Sequence, residues 1–305
     1  MTEPGNIQYL SHEQIDKAKW DHCIDNADNG LIYAYSFYLD QMAKHWDALV
    51  LNDYEAVMPL TWNKKYGICY LYQPFLTAQL GVFARQVSAE MISSFVNTIP
   101  GKFRLIEIAL NHANTGSPQV DLQLRINYVL DMNHPIEFIQ QQYRENIKRN
   151  IKKSLQAGCT VTKDFAVEKV IELALQQMKG HSNESAENVE RFRKLYRLLH
   201  AKKMATTYGV SLKDNIIASC VFFFSHRRAY YILVGNHPNG KTVGASHALI
   251  DAFIQDHAGK DILLDFEGSD IPNLAFFYSS FGAKEEKYPF LQVNRLPFWL
   301  KWLKR

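Results

Sequence analysis

Three apolar runs at 206–212, 216–224 and 229–234 are separated only by short polar turns, at Lys213-Asp214-Asn215 and His226-Arg227-Arg228. A parallel connection needs a crossover of roughly a dozen residues or more, so these strands must run as an antiparallel meander. The first half repeats the device with ALVLN (48–52), AVMPLTW (56–62) and GICYLY (67–72), broken by Asn52-Asp53 and by Lys64-Lys65-Tyr66-Gly67. A helical stretch precedes each meander, 36–46 in one half and 189–203 in the other. A helix and then a strand follow, 89–97 and 103–109 in the first half, 244–257 and 261–266 in the second. The order of elements is repeated without evident sequence identity. With 305 residues, more than one core usually holds, two packed domains are expected.

A Gly-, Ser-, Pro- and Asn-rich connection at 111–118 leads to a strand at 121–130, which completes the first unit. From Pro135 to Ala157 the residues Ile139, Tyr143, Ile147, Ile151 and Leu155 recur every fourth position, with Arg144, Lys148, Lys152 and Lys153 on other faces. This spacing predicts one amphipathic helix over 135–157, stopped at Gly158. A strand at 159–163, a helix at 167–178, a polar break at 181–188, a helix at 271–280 and a strand at 285–293 complete the second unit. The expected domains are therefore 1–134 and 135–305. The tail at 296–305, LPFWLKWLKR, alternates aromatic and basic residues and is expected to pack on the first domain.

Hydrophobic residues at 47% exclude a disordered chain, and a net charge of +3 is too small for a generic polyanion or DNA binder. The charge is uneven. Residues 1–140 carry 9 basic and 15 acidic side chains, residues 141–204 carry 14 and 7, and residues 205–305 carry 11 and 9. Arg191, Arg193, Lys194, Arg197, Lys202 and Lys203 share one helix, and Lys148, Arg149, Lys152 and Lys153 another. Such runs are usually solvated faces, and otherwise suit a phosphate or an RNA. Four dispersed cysteines without a CxxC pair argue against a disulfide scaffold or zinc ribbon, and fit a reducing cytoplasm. The 11 histidines show no metal-ligand spacing, and no GxSxG occurs, so neither a metal nor a covalent serine mechanism is expected. His247, one turn into the helix after the glycine loop, could approach a ligand but reads better as a half-buried structural residue. The N-terminus lacks a cationic start with an apolar run, and no stretch approaches the ~20 apolar residues of a membrane span.

Chemistry concentrates in three segments. Lys241-Thr-Val-Gly244-Ala245-Ser246 lies between a strand and a helix, where free N–H groups and the helix dipole suit a pyrophosphate; an ordinary β-to-α turn is the alternative. In LLDFEGSD, alternation puts Asp265 and Glu267 on one side of the strand. There the pair could leave one carboxylate as a base, or simply favour the start of the following helix. Tyr278, in AFFYSSFG, offers a phenol of pKa ~10 as a proton donor, or packs with Phe277 and Phe281.

These segments, ENIKRNIKKSLQAGCTV (145–161), NGKTVGASHALI (239–250) and LLDFEGSDIPNLAFFYSSFGA (263–283), resemble the GNAT acyltransferase fold. More narrowly, the chain looks like the FemAB-like group, in which two GNAT-type units are joined. The resemblance covers the whole chain in element order and 145–290 in motifs. It implies a mixed α/β (α+β) protein of two tandem GNAT-like domains, each a mixed sheet with an antiparallel meander flanked by helices. It further implies acyl transfer by direct attack, from acetyl-CoA or another acyl-CoA that is a cosubstrate and not a tightly bound cofactor. The acceptor would be an amine or hydroxyl on a small molecule or peptide. Lys241, Gly244, Ala245 and Ser246 would hold phosphate, Glu267 would take the acceptor's proton, and Tyr278, four residues before Gly282, would return one to sulfur. Fem peptide-ligating enzymes generally carry Lys where this chain has Tyr278, which favours a thioester donor over aminoacyl-tRNA. The rival readings are tRNA-dependent transfer to a cell-wall precursor and a degenerate GNAT pair that only binds. Sites in two-domain proteins are often assembled across the junction, so first-unit residues such as Tyr72, Gln73 and Gln79, before Gly81, could contribute without showing any motif.

Overall fold

The computed structural model describes residues 6–115, 122–179, 185–268 and 270–297. The chain divides into two compact units, one holding the residues up to Arg125 and those from Lys287 onward, the other Ile126–Glu286.

The first unit runs β1 (Ile7–Leu10), α1 (Lys17–Asp25), α2 (Ser36–Met42), β2 (His45–Leu51), β3 (Ala56–Lys65), β4 (Ile68–Leu71), β5 (Phe83–Ala84), α3 (Ala89–Thr98) and β6 (Phe103–Ala109). The meander is present: β2, β3 and β4 pair antiparallel in sequence, with His45 opposite Trp62 and Trp62 opposite Leu71. Sequence periodicity did not reveal β1 and α1. The signal for α1 is its cap, because the Asp16 carboxylate accepts the N–H groups of Ala18 and Lys19, and Trp20, Cys23 and Ile24 form its buried face. The segment between β4 and α3 is clamped by amides. Asn29, Asn111 and Asn114, all nearly or fully buried, each donate to the carbonyl of Val82, and Asn114 also accepts the Val82 N–H at 2.7 Å. Gln73 accepts the Ala109 N–H and Gln79 that of His112, while the Tyr72 hydroxyl accepts from Lys44. These three residues therefore serve the first unit's own backbone.

The second unit comprises most of β7 (Leu122–Asp131), then α4 (Ile136–Gln141), α5 (Glu145–Gln156), β8 (Cys159–Lys163), α6 (Val167–Met178), α7 (Ala186–Ala201), β9 (Ala205–Leu212), β10 (Asn215–Ser225), β11 (Arg228–Asn236), α8 (Pro238–Thr242), α9 (Ala245–His257), β12 (Leu263–Asp265) and α10 (Pro272–Ser279). A last strand, β13 (Lys284–Asn294), carries the chain back, and its Phe290–Asn294 part pairs with β6. The sheet order is β7-β12-β11-β10-β9-β8, with β11 and β12 parallel and the other neighbours antiparallel. The α9 helix covers one face, where Phe253 stacks on Phe222 at 3.7 Å, and α6 and α7 cover the other, where Phe192 stacks on Phe223. Each fully buried phenylalanine contributes roughly 1.5–3 kcal/mol of burial.

Three expectations are corrected. The strand expected at 121–130 in the first unit pairs through Val129–Asp131 with β12, so the division falls at 125/126 instead of 134/135. The helix expected over 135–157 is two helices, because the Arg144 N–H donates to Ser280 at 2.9 Å and so leaves the helical ladder. Its apolar stripe is also shorter than expected: Ile139, Tyr143 and Ile147 are buried while Leu155 is exposed. Most of the tail, residues 298–305, lies outside the described residues, whereas Arg295 bonds the Arg104 carbonyl and Leu296 is buried.

Gly81 has φ +97°, and a Cβ there would stand 2.3 Å from Asn114 Oδ1, the acceptor of the Val82 N–H. We expect Gly81→Ala to cost about 2–4 kcal/mol, and Gly67→Ala, at φ +80° with open space around it, only about 1 kcal/mol. Urea midpoints of the two variants check this.

Candidate active site

The site is built around an irregularity in β11. Cys220 pairs with Val234 but Val221 with Ile232, so Leu233 is an extra residue in the strand, held at φ +42°. A left-handed leucine costs on the order of 1–3 kcal/mol, and such bulges re-aim the residues beside them. Here Tyr231, Val234 and Asn236 form one wall of a cavity of about 320 Å³. Helix α10 supplies Leu274, Phe277 and Tyr278 to the same cavity. Gln177 of α6, which accepts the Asn236 N–H at 2.6 Å, borders it as well.

The loop expected to hold phosphate contains the short helix α8, and α9 starts after it at Gly244, φ +74°, without a side-chain cap. The first N–H groups of α9 thus lack a side-chain acceptor, the condition under which a helix start attracts an anion. Lys241 and Ser246 line the cavity, and the Ser246 hydroxyl donates to Asn236 Oδ1. Gly244 and Ala245 do not. A Cβ on Gly244 would lie 2.5 Å from the Asn150 carbonyl oxygen, so this glycine is demanded by the packing of α5 and by its left-handed φ. Ala245 is fully buried. The corresponding helix of the first unit, α3, is closed by comparison: Ser88 caps the Met91 N–H and Glu90 sits in its first turn.

The two acids of LLDFEGSD do not share a strand face. β12 ends at Asp265, and Glu267 follows in a left-handed turn at φ +66°. Asp265 is almost completely buried, with Oδ2 2.7 Å from Arg228 Nη1 and Oδ1 accepting from Asn127 and from the Glu267 N–H at 2.9 Å each. It is an ion-paired structural residue. Glu267 is half-buried and close enough for its charge to act on Tyr278. Tyr278 is 7% exposed and stacks on Phe266 at 4.5 Å, and its hydroxyl bonds no other described residue. Burial first, and then the Glu267 charge, push its phenol above the ordinary range, so it stays protonated at neutral pH.

His247, expected to be a half-buried structural residue, lies one turn into α9. It borders the cavity, meets the Phe277 ring edge-on at 4.9 Å, and its Nδ1 is buried with no partner among the described residues. Burial lowers its pKa to about 4. The basic face of α7 is answered by acids: Arg191 by Glu187, Arg193 by Glu190 and Glu168, and Arg197 by Glu168. On α5, Lys148 pairs with Glu145.

Residues 141–270 match the family model described as an acetyltransferase (GNAT) domain. No curated protein matches the chain. Among solved structures, FemX has a TM-score of 0.63 at 11% identity, covering 97% of this chain and 99% of that one. L-PGS from Bacillus licheniformis scores 0.55 at 11% identity, over 94% and 93%. A tandem GNAT protein from the clavulanic acid biosynthesis pathway scores 0.53 at 7% identity, over 96% and 99%. These are likenesses of fold, and the family model assigns a GNAT domain to residues 141–270. No helix among the described residues is long and apolar enough to cross a membrane.

Because His247 binds its proton more weakly folded than unfolded, acid favours the unfolded chain. Stability should be unaffected above pH 6.5 and fall as pH drops from 6.5 towards 4, by about 2–3 kcal/mol in all. Urea unfolding at pH 7 and pH 4.5 should show His247→Phe losing less stability than the parent protein.

Proposed function

We propose that the second unit transfers an acyl group from an acyl-CoA-type thioester to an amine or hydroxyl acceptor by direct attack. One observation carries this: the same cavity is lined by Lys241 and Ser246, beside the uncapped start of α9, and by Tyr278, whose hydroxyl bonds no other described residue. The donor's pyrophosphate would sit at the start of α9 beside Lys241, with the thioester arm along the β11 bulge. The acceptor nitrogen or oxygen attacks the thioester carbonyl carbon; the new C–N or C–O bond forms as the C–S bond breaks. Glu267, directly or through a water, takes the proton the acceptor gives up. An ordinary phenol at ~10 already lies above a thiol at ~8.5, and the shift of Tyr278 widens the gap. Tyr278 therefore stabilises the departing thiolate by donating a hydrogen bond while keeping its proton. The proton held by Glu267 balances the one the thiol regains. Acetyl-CoA and longer acyl-CoAs are both candidate donors, and the acceptor is a small molecule or a peptide.

A thermal-shift comparison of free CoA, acetyl-CoA and longer acyl-CoAs tests donor binding, since a ligand of the native state raises its melting point. We expect a CoA-dependent shift that depends weakly on salt and is lost in Lys241→Glu. Tyr278→Phe should retain the shift while kcat falls roughly 10- to 100-fold, the worth of one transition-state hydrogen bond. Absence of any CoA-dependent shift would overturn the thioester assignment. A submicromolar tRNA complex at physiological salt, weakened by charge reversal at Arg193 and Arg197, would replace it with aminoacyl-tRNA.

A further inference from the structure

The two oxygens of Asp265 hold different things. Oδ2 takes Nη1 of Arg228, whose guanidinium also bonds both oxygens of Glu286. Oδ1 takes Asn127 Nδ2 and the backbone N–H of Glu267. Arg228, Asp265 and Asn127 are at most 7% exposed. A buried ion pair such as Arg228–Asp265 is generally no better for stability than apolar side chains of the same volume. A role beyond cohesion is therefore worth seeking, and the bond from Oδ1 to Glu267 supplies it. Glu267 and Gly268 are successive left-handed residues, φ +66° and +88°, which turn the chain sharply out of β12. A glutamate resists that conformation, and the bond to Asp265 holds it there. If the backbone relaxed to an extended form, the Glu267 carboxylate would be re-aimed.

We propose that Asp265, anchored by Arg228, is a positioning residue for acyl transfer: by holding the backbone of Glu267 in its left-handed turn, through the 2.9 Å bond from Oδ1 to the Glu267 N–H, it sets the direction in which that carboxylate leaves the chain, and with it the carboxylate's effect on Tyr278. The catalytic consequence rests on the function proposed above, while the positioning itself is a property of the fold that can be read without any donor.

The experiment joins two readouts on the full chain. In protein labelled with [13Cζ]tyrosine, the Tyr278 signal is assigned by its loss in Tyr278→Phe. Glu267→Gln and Asp265→Asn should move that signal in the same direction, and the double variant should move it no further than Glu267→Gln alone. Arg228→Lys keeps the charge but loses the fork, and should give a smaller shift of the same sign. In acyl-CoA turnover, Asp265→Asn should lower kcat by about tenfold or more with donor KM changed less than about twofold, and the double variant should be no slower than Glu267→Gln. A merely structural Asp265 would lower the melting point and add its effect to that of Glu267→Gln. The positioning role is overturned if the Tyr278 signal moves in Glu267→Gln but not in folded Asp265→Asn, or, should that variant not fold, not in Arg228→Lys. Parent protein that turns over no acyl-CoA overturns the proposed function instead, and the NMR arm still decides the positioning.

Discussion

The approach of α5 to the start of α9, backbone against backbone at Asn150 and Gly244, sets where the α9 dipole begins. Only a residue without a Cβ can stand there, both for φ and for space. From that point α9 runs along the sheet with Phe253 on Phe222, and its Asp251 receives the Tyr143 hydroxyl from the turn between α4 and α5. Because α9 cannot slide, its uncapped first turn, Ser246 and His247 face β11 where Leu233 bulges. The cavity is the space that these two irregularities leave, one a glycine start and the other a bulge.

Electrostatics divides the site. The helix start and Lys241 favour an anion, while the Tyr278 side is dry, aromatic and next to a carboxylate. Burial favours the neutral forms of the Tyr278 phenol and the His247 imidazole, so neither adds charge to the cavity. The buried charges of Arg228 and Asp265 answer one another, and Arg228 also bonds the half-buried Glu286. In the first unit the equivalent ground is filled differently. Asparagine amides clamp the β4–α3 connection, and Ser88 caps the start of α3.

Spacing alone made both meanders legible, because turns of a few residues admit no other connection. It could not say which sheet the strand ending at Asp131 joins, since that depends on a partner at 263–265 over a hundred residues away. Nor could it show the break between α4 and α5, which turns on one N–H finding Ser280 instead of its own ladder. Around the site, Lys241, Ser246 and Tyr278 were readable as loop and helix residues with suitable chemistry. Asp265 was misread because its partner Arg228 lies 37 residues earlier, and a buried ion pair leaves no local pattern. Tyr231, Gln177 and Asn236 were invisible as cavity residues, each lying in a segment whose periodicity speaks only of strand or helix, while the place of His247 one turn into a helix was the one hint that it could approach a ligand.

What the sequence determined by itself is local and repetitive: the alternation of strands, the helix stripes, the glycine at a helix start, the tyrosine in an aromatic helix. These follow from backbone sterics and from the period at which apolar residues recur, which act over a few residues. The tertiary structure alone decided which side chains share a cavity, which acid is buried in an ion pair and which is left near the phenol, and in which unit the strand ending at Asp131 and the strand after Lys284 belong. Those outcomes depend on desolvation and on contacts between segments far apart in the chain, and neither is encoded in any window of neighbouring residues.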